Sequence, residues 1–131
     1  MHQLIRNLSK NSILFLAIIF SICILYLSLV RVVVLQVSKP ISNFDKILHF
    51  IAYYCLSMLW YLVCAKNVIT VPFKYLIVSI VILIYGILIE LSQNLFTDYR
   101  QGEFLDVLAN GVGVLFAYVS YSFFCSERSD N

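Results

Sequence analysis

The sequence is short of charge. Asp, Glu, Lys and Arg make up 12% of its 131 residues, where a soluble domain carries about 25%. That shortage excludes an ordinary water-soluble domain, and 62% hydrophobic residues with a mean hydropathy of +0.93 exclude it a second time. Four cysteines, Cys23, Cys55, Cys64 and Cys125, form no close pair. Their spacing excludes a zinc knuckle or a paired redox motif and leaves buried thiols. The nine basic residues form no stripe or cluster, so the formal charge of +2 gives no signal for nucleic acid. No internal repeat, Gly-rich phosphate loop, His-x-x-x-His or Glu-x-x-His pattern occurs. Ser92 lacks the spacing of an activated nucleophile.

What remains is long apolar stretches. From Ile13 to Leu35 the only charge is Arg31. At a rise of about 1.5 Å per residue this run is about 35 Å long, enough for the roughly 30 Å hydrocarbon core with Arg31 snorkelling to one edge. It exceeds a signal peptide's apolar segment, and Gln36-Val37-Ser38-Lys39 offers no small-x-small cleavage site, so we expect a retained helix. Ile47 to Cys64, Tyr75 to Leu91 and Leu105 to Phe124 are three further spans. Their apolar residues do not alternate, and the runs far exceed the 9–11 residues of a membrane strand, which excludes a barrel. The expected fold is all-α: an integral membrane four-helix bundle with short loops, one domain over residues 1–131, with helices at about 12–35, 46–65, 73–92 and 103–124.

The punctuation agrees with that count. Pro40 and Asn43 break the first pair of spans, Lys66 to Pro72 the second, and Ser92 to Gly102 the third; Pro72 suits the first turn of the third helix. Loops this short make consecutive helices antiparallel neighbours. With the amino terminus in the cytoplasm, the inner segments hold Arg6, Lys10, Lys66, Lys74 and Arg128, and the outer ones Arg31, Lys39, Lys46 and Arg100. The positive-inside rule leans toward cytoplasmic termini. Asp45, Glu90, Asp98, Glu103 and Asp106 then all fall on the outer side.

That asymmetry carries the functional information. Three-four spacing places Asp45, His49 and Tyr53 on one face of the second helix, Glu90 and Gln93 together on the third, and Glu103, Asp106, Asn110 and Gly113 along the fourth. Alternating direction brings these three sets to the same membrane surface. A charge near a helix centre costs about 2.5–3.5 kcal/mol on insertion scales, so these groups face one another or a wet cavity. A purely structural network is the alternative: Asp106 and Asn110 holding helices together, Glu90 paired with Arg100 or Lys46, His49 donating to Asp106. The number of convergent groups exceeds what packing of short-looped helices requires. Gly111-x-Gly113 reads as a close helix contact.

Asp-Lys-x-x-His-Phe at 45–50 followed by Tyr53, Glu-x-x-Gln at 90–93, and Arg-x-x-Glu-x-x-Asp-x-x-x-Asn-x-x-Gly at 100–113 resemble the signature blocks of the VanZ-like membrane proteins, a family named for a teicoplanin-resistance protein. The likeness spans roughly residues 40 to 120; the first helix matches in length and hydropathy alone. Asp98-Tyr99-Arg100-Gln101-Gly102 departs from the Pro and Arg-x-Ser pattern the family often shows near the arginine. The resemblance implies a small integral membrane protein with polar blocks near the outer face and, in some members, a link to glycopeptide resistance. It carries no established mechanism.

The residue chemistry favours a ligand site at the membrane interface. Arg100 and Lys46 suit a phosphate or carboxylate, Arg as a bidentate donor and Lys as a point charge. His49 has the chemistry for proton transfer, with Glu90 or Asp106 orienting it or acting as base. Asp45, Tyr53, Gln93, Glu103 and Asn110 complete the candidate lining, and apolar walls accommodate a lipid tail. The expected partner is a membrane lipid or a lipid-linked cell-envelope molecule, with no nucleic acid and no cofactor. His49 with the acids offers a set suited to a divalent ion, but Lys46 and Arg100 neutralise those acids without one, so no metal is assigned at this stage. Two classes follow: a binding or accessory module, and an enzyme in which His49 and an acid act on a lipid-linked phosphate or acyl group. A transporter fits less well, because alternating access usually uses paired repeats.

Overall fold

In lipid a backbone has no water to bond, so an uninterrupted apolar run satisfies itself as a helix. The structure, a computed structural model, describes residues 9–29, 44–66, 72–96 and 104–126. Its helices are α1 (Lys10–Leu29), α2 (Phe44–Ala65), α3 (Lys74–Phe96) and α4 (Phe104–Ser126). They contain 20, 22, 23 and 23 residues, or about 30–35 Å each. All four are long and apolar enough to cross a membrane. Phe15, Ile22, Val81, Leu115 and Phe116 point outward, the reverse of a soluble surface. The protein is an all-α, multi-pass membrane bundle.

Helices α2 and α3 lie at the centre, with α1 and α4 flanking them. The most extensive interface joins α2 to α4, which are parallel and not consecutive. Gly113 permits it: a Cβ there would stand 2.5 Å from the Phe50 carbonyl oxygen and 3.2 Å from the Tyr54 nitrogen. Two backbones meet where one has no side chain. The rings of Phe50, Tyr54 and Phe116 close over this contact, with centroids 5.9–6.4 Å apart. Gly111 has only Leu83 near its would-be Cβ, at 3.7 Å, so of the expected glycine pair it is Gly113 that makes the close approach.

Helices α2, α3 and α4 each bury a stripe at three-four spacing. On α2 it includes His49, Tyr53, Leu56, Ser57 and Cys64; on α3, Val78, Ile82, Ile89, Glu90 and Gln93; on α4, Asp106, Asn110, Val114 and Ala117. Every stripe is polar at one end and apolar at the other, and topology stacks the polar ends together. At the opposite end, Tyr61, Tyr75 and Tyr121 pack ring against ring, with centroids 4.9–5.8 Å apart. Tyr61 Oη lies 2.6 Å from Ser79 Oγ, and Lys74 Nζ donates to the Cys64 carbonyl at 2.7 Å, satisfying an acceptor at the carboxyl end of α2.

Helix α1 is held by Ser21. Its hydroxyl donates to Ala17 O at 2.8 Å and accepts from Trp60 Nε1 at 3.2 Å, while Tyr85 Oη donates to Ser21 O at 2.6 Å. Both ends of α3 differ from expectation, while the expected end of α1 at residue 35 lies outside the described residues. Helix α3 continues past Ser92 to Phe96, because Ser92 Oγ donates to Leu88 O at 2.7 Å within the helix and Gln93 is fully buried. Pro72 precedes α3 rather than opening it. Pro72 and Phe73 form a turn, Phe73 takes a left-handed φ of 53°, and its carbonyl accepts from Ile77 N at 3.0 Å.

Candidate functional site

The polar ends of α2, α3 and α4 meet at one end of the bundle. Asp45 and Lys46 sit in the first turn of α2, with side chains 45% and 23% exposed, and form the mouth. One turn inward His49 is buried, and one turn further Tyr53 is buried deeper. Asp106 and Asn110 enter from α4 and Glu90 and Gln93 from α3, all buried. Of the ten residues singled out from the sequence, these eight share one end of the fold. Arg100 and Glu103 lie outside the described residues.

The contacts join different helices. His49 Nδ1 donates to Asn110 Oδ1 at 3.0 Å, and Glu90 Oε1 stands 3.6 Å from the same nitrogen. On the other side of the ring, Nε2 faces Asp45 Oδ2 at 4.0 Å. Lys46 Nζ lies 3.6 Å from Asp106 Oδ1. The structural alternative paired Glu90 with Arg100 or Lys46 and His49 with Asp106; among the described contacts α4 presents Asp106 to the lysine and Asn110 to the imidazole. Gln93 Nε2 donates to Ser28 O at 3.0 Å and so ties the polar end to α1.

Hydrogen-bonding capacity remains. Tyr53 Oη, Asp106 Oδ1 and Asn110 Nδ2 are buried and have no hydrogen-bond partner among the described residues. Each is a group whose burial costs about 1–3 kcal/mol when left unsatisfied. Tyr53 owes its depth to Gly86, where a Cβ would stand 2.8 Å from Tyr53 Cε1. The sequence reading missed this role of Gly86, whose signal was a lone glycine inside a run of Ile, Leu and Tyr. It also missed α1, whose Ser28 carbonyl reaches Gln93. For a metal, the converging donors are Asp45, His49 and Asp106: one ligand atom from each lies within 4.8 Å of the others.

An apolar groove of about 300 Å³ runs along the bundle between α1 and α3 over a floor of α2, lined among others by Ser21, Leu56, Trp60, Val81 and Tyr85. Its Tyr85 end lies roughly 7 Å along α3 from Glu90.

No curated protein and no solved structure gives a match to this chain. The sequence model of the VanZ/LLP1 family matches residues 3–125. With that match running over nearly the whole sequence, the chain belongs to the VanZ/LLP1 family.

Proposed function

We propose that the polar end is a binding site for the anionic head group of a membrane lipid or lipid-linked cell-envelope molecule, located near the extracytoplasmic face with both termini cytoplasmic. The carrying observation is that two buried donors, Tyr53 Oη and Asn110 Nδ2, have no hydrogen-bond partner among the described residues. A helix-packing network alone has no use for two such donors at the polar end. Lys46 at the mouth supplies positive charge toward a phosphate or carboxylate, and Arg100 adds a bidentate donor. The groove beside α1 suits an acyl or polyprenyl chain. Sequestering such a molecule alters how cell-wall-directed glycopeptides meet their target, which is the route by which this chain would affect teicoplanin susceptibility.

A second reading, an enzyme on a lipid-linked phosphate or acyl group, draws on His49, whose ring lies between Glu90 on one side and Asp45 on the other. That arrangement holds an imidazole for proton transfer, with Glu90 or Asp106 as the acidic partner. The test is purified full-length protein in nanodiscs, offered anionic phospholipids, polyprenyl phosphates and glycolipids, with binding and turnover measured on the same samples. Saturable binding without product supports the module, and product formation supports the enzyme. Neither binding nor turnover by folded protein sinks the ligand site and leaves a structural network.

A further inference from the structure

The proton on His49 is placed by its neighbour. Asn110 Oδ1 is an amide oxygen and only accepts, so the hydrogen bond at 3.0 Å requires the proton on Nδ1. The other ring nitrogen, Nε2, faces the Asp45 carboxylate, 4.0 Å away. Their separation is too long for a hydrogen bond, yet it brackets an ion about 2.1 Å from each donor.

We propose that Asp45, His49 and Asp106 form a divalent cation site at the mouth of the bundle, suited to an ion of intermediate character such as Zn²⁺ or Mn²⁺. Asp45 and His49 stand at i and i+4 on α2, so one helical turn aims both donors at the same point. Asp106 supplies the third from α4; its side chain is 3% exposed and its Oδ1 has no hydrogen-bond partner among the described residues. The three donor atoms already lie within 4.8 Å of one another, and closing on an ion requires shifts of about 1 Å. The bond from Nδ1 to Asn110 is the outer contact that fixes a ligating histidine's tautomer and ring orientation. One nitrogen and two carboxylate oxygens leave coordination positions for water or a phosphate oxygen.

Lys46 belongs to the same device. Its ammonium is 3.6 Å from Asp106 Oδ1 and 23% exposed, a tethered cation holding the charge of that carboxylate. Binding of the ion displaces it toward the mouth. The site goes beyond the lipid-head-group reading and does not depend on it, because the ion is tested alone.

The experiment uses untagged full-length protein in nanodiscs of neutral lipid, with Zn²⁺ titrated calorimetrically and Mn²⁺ by electron paramagnetic resonance. Wild type is expected to bind one ion per chain, H49Q and D106N at least tenfold more weakly, and K46Q more tightly than wild type. His2, the other histidine in the chain, is controlled by H2Q, which is expected to match wild type. If D106N fails to fold, D45N takes its place with the same expected loss. Folded wild type without a stoichiometric ion, or wild-type affinity in both H49Q and the aspartate variant, overturns the site; K46Q at or below wild-type affinity overturns the displacement by Lys46.

Discussion

His49 on α2 and Asn110 on α4 are joined by a buried 3.0 Å hydrogen bond whose direction is fixed by the amide oxygen. It links the two parallel helices at the level where α3 brings in Glu90. Asn110→Leu keeps the volume and removes the acceptor, leaving the imidazole N–H unanswered. Interhelical hydrogen bonds in membranes contribute about 0.6–2 kcal/mol, so unfolding measured by steric trapping should show a loss of that size. An unchanged stability would mean that the ring turns to another acceptor.

The glycines of α4 should part company. Gly113→Ala drives a methyl into the Phe50 carbonyl at 2.5 Å, and because the opposing atom is backbone, the helices must separate. We expect a loss of about 1–3 kcal/mol and a disturbed site. Gly111→Ala meets only Leu83 at 3.7 Å, and helix propensity favours alanine there by about 1 kcal/mol. Thermal melts of the two variants should therefore move in opposite directions.

Tyr53→Phe removes a buried hydroxyl that has no partner among the described residues. Relief of that desolvation is worth about 1 kcal/mol, so the variant should be as stable as wild type or more so, while head-group binding weakens. A drop in stability would show the hydroxyl to be structural.

Arg100→Gln should leave the melting temperature close to wild type and weaken lipid binding by tenfold or more, since a bidentate donor is exchanged for a neutral amide. His49→Ala separates the two functional readings. Retained binding with lost turnover indicates the enzyme, and turnover absent from wild type indicates the module. Wild-type binding and wild-type glycopeptide susceptibility in both variants would refute the ligand site.

Orientation is read by labelling single cysteines in a background where the four native ones are replaced. Asn43→Cys should react with an impermeant maleimide added outside, and Lys66→Cys only after permeabilisation. The reverse pattern would place the polar end in the cytoplasm.

The four spans were legible because lipid leaves an apolar run little choice of structure, and Asp45, His49 and Tyr53 announced a common face by spacing alone. The pairing of faces was not legible. Whether Lys46 meets Glu90 or Asp106 depends on the rotation and height of α4 against α2, which the Gly113 contact sets and hydropathy does not encode. Helix α1 was the least readable, since its outward and inward faces are equally greasy and only Ile13, Ala17 and Ile24 among its residues are buried. The end of α3 was placed early because Ser92, Gln93 and Asn94 look like a loop in water, whereas beside Ser28 they continue a helix.

The rings of Tyr61, Tyr75 and Tyr121 join α2, α3 and α4 at the end opposite Asp45 and Lys46. The bundle is thus fastened at its two ends by different chemistry, aromatic contact at one and charged and amide groups at the other. A change in ionic strength acts on the second fastening and leaves the first, because ring packing carries no net charge to be screened.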